Sequence, residues 1–273
     1  IRQEAVSMSL IDKLCYTSKL RYTNAGEKVF FSLSSLCFCI ISRSVLVALI
    51  VLFASSCLTI KKGGISPRCY RKLMQIPCAF LLVSTAAIIV NISSVPLDAF
   101  ALPVGSWYIS GSWEGIYHGI QLILTALACV SCLYFLSLST PVTDIVSVLE
   151  SWHIPWLIIE LMMLIYRFIF LLLEIASSIS CSQRSRLGNR NLSTSIKSYG
   201  LLASSLFILS IRRASTVYDA MEARCYNGRI HVLKEQHPAR RKEILWLILF
   251  EGVLFLITVF DARLSEILFR MWR

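Results

Sequence analysis

Pro155-Trp-Leu-Ile-Ile-Glu160-Leu-Met-Met-Leu-Ile-Tyr-Arg167-Phe-Ile-Phe-Leu-Leu-Leu-Glu174-Ile-Ala176 is an apolar stretch with three charges at intervals of seven. About 20 apolar residues suffice for a helix to cross a bilayer, so its length permits a span. Its charges argue against one. Residues seven apart lie nearly two helical turns apart, so Glu160, Arg167 and Glu174 share one face. A charge at the centre of a lone membrane helix costs roughly 2.5–3.5 kcal/mol on insertion scales. Whether this stretch crosses fixes the side of the membrane on which everything after it lies.

The flanking sequence bears on that choice. The chain has 273 residues, 56% of them hydrophobic and only 16% charged. Soluble domains carry about 25% charged residues. The apolar excess is gathered into long runs, the mark of membrane segments. Val29 to Ile60 is interrupted at Ser42-Arg43-Ser44 and reads as a tight hairpin of two short helices, about 29–41 and 44–60. Further spans are expected over about 74–94, 116–138 and 244–260. Segment 61–72 carries Lys61, Lys62, Arg68, Arg71 and Lys72, whereas 95–115 has neither Lys nor Arg and, with Pro96, Pro103 and glycines 105, 111 and 115, reads as a loop. The positive-inside rule then puts 61–72 in the cytoplasm and 95–115 outside.

Residue 139 is therefore cytoplasmic. Residues 177–198 carry Arg184, Arg186, Arg190 and Lys197 with no acid, so they belong on the same side. A single crossing by 155–176 would put them outside. The economical reading is a helix at the membrane base. Residues 199–211 are apolar for about 13 residues, which is short for a span, and Ile211, Ala214, Tyr218, Met221 and Cys225 continue as an amphipathic seam. Thr140 and Pro141 suit the start of a third amphipathic helix, 140–152, whose stripe is Val142, Ile145, Leu149 and Trp152. The expected fold is an all-α integral membrane protein of about five spans plus a cytoplasmic helical unit. Its parts are a membrane region over 1–138, a cytoplasmic unit over 139–243, and a last span with its tail over 244–273.

The net charge of +11 sits in Lys and Arg that flank apolar runs, as in cytoplasmic membrane loops, so nucleic acid is not the expected partner. The ten cysteines lie mostly in apolar runs, and Cys129-Val-Ser-Cys132 falls inside an expected membrane helix, so packing is the default and no disulfide framework is implied. The four histidines (118, 153, 231 and 237) form neither HxxxH nor HExxH, and no metal site is assigned. There is no P-loop and no nucleophile elbow. The chain is expected to be non-catalytic, with no cofactor of its own.

Two helix ends stand out. Cys181-Ser-Gln-Arg-Ser-Arg-Leu-Gly188 and Asp219-Ala-Met-Glu-Ala-Arg-Cys-Tyr-Asn-Gly228 both finish a helix-forming run with Arg shortly before Gly. A cation favours a helix C-terminus and Gly favours the exit, which accounts for either end alone. Two neighbouring helices ending alike on one membrane side point further, to a pair of docking points. The planar fork of Arg suits carboxylates and carbonyls of a partner.

Three stretches resemble the CbiQ family, the transmembrane T component of energy-coupling-factor cobalt and nickel importers. They are Ser139-Thr-Pro-Val-Thr-Asp144 continuing through Trp152-His-Ile-Pro155 to Met163-Leu-Ile-Tyr-Arg-Phe-Ile-Phe170; Gln183-Arg-Ser-Arg-Leu-Gly188 with Tyr199-Gly-Leu-Leu202; and Arg213-Ala214 with Ala220-Met-Glu-Ala-Arg-Cys-Tyr-Asn-Gly228. Ile11-Asp-Lys13 to Glu27-Lys28 looks like the family's opening. The resemblance implies that the cytoplasmic unit is a helical coupling domain with three coupling helices, and that two Ala-Arg-Gly-like tripeptides dock two ATP-binding-cassette ATPase subunits, which bind the ATP. The matching positions are Ser185-Arg186-Leu187 and Ala223-Arg224-Cys225. Cys225 stands for the usual Gly, and Ala25 for Pro. Asp144, Glu160, Arg167, Glu174, Arg213 and Gly228 are expected to hold the coupling domain together. A substrate-binding membrane (S) component and the lipid bilayer are the other implied partners, and the location is the cell membrane. The readings set against this one are a T component for a vitamin and a self-contained carrier or channel.

Overall fold

A computed structural model describes residues 14–42, 44–89, 91–93, 100–104, 107–111, 113–228 and 241–271. Arg43, the opening Ile11-Asp-Lys13, Pro96, Asp98, Gly105, His231 and His237 lie outside the described residues. Among the described residues eight helices dominate: α1 (Ala25–Ser42), α2 (Val45–Cys57), α3 (Pro67–Ile89), α4 (Trp113–Ser139), α5 (Val142–Ser151), α6 (Trp156–Ser185), α7 (Leu192–Glu222) and α8 (Arg241–Met271). The break between α1 and α2 falls at Ser42-Arg43-Ser44, as the sequence predicts. A π-helical turn, Leu58–Lys62, prolongs α2. Helix α5 starts at Val142, two residues beyond the expected cap Thr140, which is itself buried.

Segment 95–115, expected as loop, contributes to a small sheet. Strands β1 (Asn91–Ser93), β2 (Phe100–Val104) and β3 (Trp107–Gly111) pair antiparallel in the order β1-β3-β2, with Ala101 opposite Ser110 and Pro103 opposite Tyr108. Proline and glycine concealed the strands, but Phe, Val, Trp, Tyr and Ile are β-formers. Pro103 lies on an edge strand, where a missing N–H is tolerated.

The chain divides into two compact units. Within the described residues one comprises 14–141 with 241–271. Its hub is α4, which packs on α1, α2 and α3, while α8 packs on α1. The core is built from small residues: Cys39, Ala48, Ala128 and Cys132 are buried with Val47, Val51 and Leu254. Small side chains let helices approach closely where lipid offers no hydrophobic incentive to associate. Phe31 and Phe135 are also buried and meet edge-on, with ring centroids 5.4 Å apart.

Hydroxyls join the same helices. Ser55 Oγ lies 2.5 Å from Ser131 Oγ, which lies 2.7 Å from Tyr70 Oη. Ser34 and Ser35 donate to Glu251 Oε1 at 2.6 and 3.1 Å, fastening α8 to α1. The buried Lys28 ammonium donates to the carbonyls of Leu20 (3.0 Å) and Ser139 (3.1 Å). Ser139 ends α4, where a cation is favoured.

The second unit comprises 142–228 among the described residues, with α6 packing on α5 and α7. Among the described residues, seven helices can by length and composition cross a membrane: the first four long ones (α1, α2 with its π turn, α3, α4) and α6, α7 and α8. The chain is a multi-pass membrane protein. The 13-residue apolar tract at 199–211 proves to be the middle of a 31-residue helix, so shortness does not keep α7 out of a bilayer.

Candidate coupling site

The two arginine tripeptides end α6 and α7, and their backbones are the same. At the first, Leu187 N–H donates to Arg184 O (3.0 Å) and Gly188 N–H reaches back to Gln183 O (2.8 Å). At the second, Cys225 N–H donates to Glu222 O (2.9 Å) and Tyr226 N–H to Met221 O (3.0 Å). Each pair of bonds makes a Schellman cap, which satisfies carbonyls that a helix end leaves open. Arg186 and Arg224 occupy the same position, one residue before the left-handed one.

The left-handed residues are Leu187 (φ 57°) and Cys225 (φ 58°). Glycine usually holds this position because a Cβ costs roughly 1–2 kcal/mol there. The sequence pattern placed the exit at Gly188, and the structure moves it one residue earlier. Gly188 is needed for a different reason: a Cβ there would lie 2.7 Å from Ser198 Oγ and 2.8 Å from Gln183 O. Gly228 is left-handed at φ 87°, three residues beyond the second cap.

The side chains of Ser185, Arg186, Leu187, Ala223, Arg224 and Cys225 are all exposed. One continuous helix, the 31-residue α7, separates the two caps. At 1.5 Å per residue its ends stand about 46 Å apart. The arrangement presents two guanidinium groups at the two ends of one rigid rod.

Each cap is fastened differently. Gln183 Nε2 donates to Ser198 O (2.9 Å) and Ser198 Oγ donates to Gly188 O (2.9 Å), so the first cap is tied to the start of α7. The second is tied to α6: Tyr226 Oη donates to Glu160 Oε1 at 2.6 Å. The Glu160 carboxylate, with a lesser effect of burial, raises the Tyr226 phenol, already protonated at neutral pH, to a pKa of about 12.

Of the three charges at intervals of seven, Glu160 alone is buried. Arg167 and Glu174 are exposed, with no ion-pair partner among the described residues. Asp144 is half-buried and accepts a long bond (3.4 Å) from Thr143 Oγ1, while Arg213 is exposed. The seam residues Ile211 and Tyr218 on α7 stand more than half exposed, and Trp152 of the 140–152 stripe is half exposed. Sequence reasoning missed Tyr226 and Glu251. Tyr226 sits 66 residues from its partner, and Glu251 is the one acid inside an otherwise apolar run. Among the described residues no group of three His, Cys, Asp or Glu side chains could hold a metal ion.

Comparison with known proteins gives the family. Residues 17–237 match CbiQ, described as cobalt transport protein. An uncharacterised protein of Methanocaldococcus jannaschii is 32% identical over 91% of this chain and 92% of its own length. The cobalt transport protein CbiQ of Salmonella typhimurium is 27% identical over 82% of this chain and its whole length. A putative fused cobalt transport protein CbiMQ of Methanocorpusculum labreanum is 29% identical over 90% of this chain but 41% of its own length. The family match covers most of the chain, and the chain belongs to the CbiQ family of cobalt transport proteins.

Proposed function

We propose that this chain is the transmembrane coupling subunit of an energy-coupling-factor importer for cobalt or nickel. Its second unit lies on the cytoplasmic side, and about five of its apolar helices span the cell membrane. Two ATP-binding-cassette subunits bind and hydrolyse the ATP, and each takes one arginine cap. A separate membrane partner holds the metal ion, which is cargo and not a resident group of this chain.

The observation that carries this reading is the repetition of one cap. Two helix ends, 38 residues apart in sequence from Arg186 to Arg224, share the same backbone bonds, the same left-handed residue and the same arginine position. A lone capped helix needs no explanation beyond stability. Two identical ones at opposite ends of one rod suit two equivalent subunits. When the ATPases close, they move the ends of a rod that cannot shorten, so the motion passes to α6, α7 and their exposed apolar faces. The fused relative supports a membrane partner, since it carries a CbiQ-like region and more than as much chain again in one protein. Arginine at a buried interface suits both carboxylate and carbonyl acceptors.

The test is the variant R186E/R224E. ATPase subunits that co-purify with the tagged parent chain should be lost, while membrane insertion and expression stay at the parent's level. Undiminished recovery of the ATPases would remove the docking assignment.

A further inference from the structure

Glu160 is the fifth residue of α6 and is 4% exposed. A buried carboxyl is ordinarily paired with a cation or with several donors. Glu160 has one hydrogen-bond partner among the described residues, the Tyr226 hydroxyl at 2.6 Å, and its other oxygen is buried with none. Such a group is unfavourable for stability taken alone, which directs attention to what its single bond fixes.

Tyr226 has two attachments. Its backbone N–H closes the second cap on Met221 O at 3.0 Å, and its side chain reaches the first turns of α6. The residue two positions before it is Arg224. The equivalent residue in the first cap is Gly188, which has no side chain to reach anywhere. That cap is steadied by Ser198 and Gln183 instead.

We propose that the Tyr226–Glu160 hydrogen bond is a positioning latch for the second docking cap: Tyr226 and Glu160 set the place and direction in which Arg224 is presented. Both are positioning residues and neither meets the partner. The idea rests on the docking role proposed above for its purpose, but its geometry is measurable without any ATPase. The cap's own backbone bonds close the turn; the latch holds the closed turn against α6. Without it the cap pivots about the end of α7, and Arg224 samples a wider arc.

The experiment uses the full-length chain in lipid nanodiscs, with nitroxide labels on the native Cys225 and on N189C and the other cysteines replaced. Pulsed dipolar spectroscopy reads the spread of distances between the two caps. The parent and E160Q should give narrow distributions, because a glutamine oxygen still accepts from the phenol. Y226F should give a distribution at least twice as wide. E160L/Y226F, whose apolar pair fills the same space, should regain thermal stability and remain wide. The proposal is overturned if Y226F stays narrow, if E160Q widens as Y226F does, or if E160L/Y226F becomes narrow, since packing rather than the bond would then hold the cap. If Y226F does not fold, the E160Q and E160L/Y226F results decide. Loss of the latch would leave the R186E/R224E result untouched, and failure of that result would leave the latch standing.

Discussion

The first cap and the second are the same turn set in different surroundings. Both place Arg one residue before a non-glycine left-handed residue and both close through a bond from the sixth residue back to the first. Around the first stand Arg184, Arg186 and Arg190 without an acid, and Leu187 projects with 68% of its surface exposed. Around the second, Asp219 and Glu222 accompany Arg224, and the left-handed side chain is a small thiol. The first is steadied by its own neighbouring helix start, the second by a carboxyl 66 residues away. Geometry is what the pair has in common; charge and support are what separate them. Under the proposed docking role, receiving two similar subunits calls for the first property, and the second would let the caps respond unequally.

Single charge reversals should break the comparison most visibly. Reversing a charge that is buried against a partner costs about 2–5 kcal/mol. R186E and R224E should each reduce ATPase recovery by more than about tenfold. R224E, whose remaining dock is the uniformly basic first cap, should lose recovery more steeply than R186E as salt is raised. Equal salt dependence of the two would show that the flanking charges have no part in docking. Recovery from matched membranes at two ionic strengths is the measurement.

A smaller effect is expected at Gly188. Its substitution by Ala drives a Cβ against Ser198 Oγ and the Gln183 carbonyl, at a cost of about 1–3 kcal/mol typical of steric strain in a packed turn. Amide exchange should then quicken over 183–190 and stay as it was over 221–226. Exchange that quickened equally at both caps would mean that they are not independently held.

The smallest effect sharpens the likeness. L187G and C225G restore the residue that a left-handed position prefers, and each should stabilise by about 0.5–1 kcal/mol, read as a rise in melting temperature in detergent. A gain at one position alone would show that the two turns share less than their hydrogen bonds indicate.

Much of this arrangement was legible from residues alone. Apolar runs gave α1, α2, α4 and α8, and Ser42-Arg43-Ser44 marked the hairpin break, because burial in lipid leaves a plain compositional trace. Arg before Gly marked both caps. What was hidden depends on contacts distant in sequence or on local strain. Tyr226 finds Glu160 across 66 residues, so no spacing announces it. Leu187 takes the left-handed turn, and the glycine beside it serves the space next to Ser198, which admits no Cβ at 188. Arg167 and Glu174 share a period with Glu160 but not its burial, because period fixes a face and neighbours decide what covers it. The β-sheet at 91–111 was masked by the proline and glycines that made the segment look like loop.

The central claim is that both caps face the ATPases from the cytoplasm. The direct test is labelling of N189C, in a background lacking other cysteines, by a membrane-impermeant maleimide. The account predicts no labelling in intact cells and full labelling after permeabilisation. Labelling from outside in intact cells would contradict the placement of the second unit and the docking role built on it.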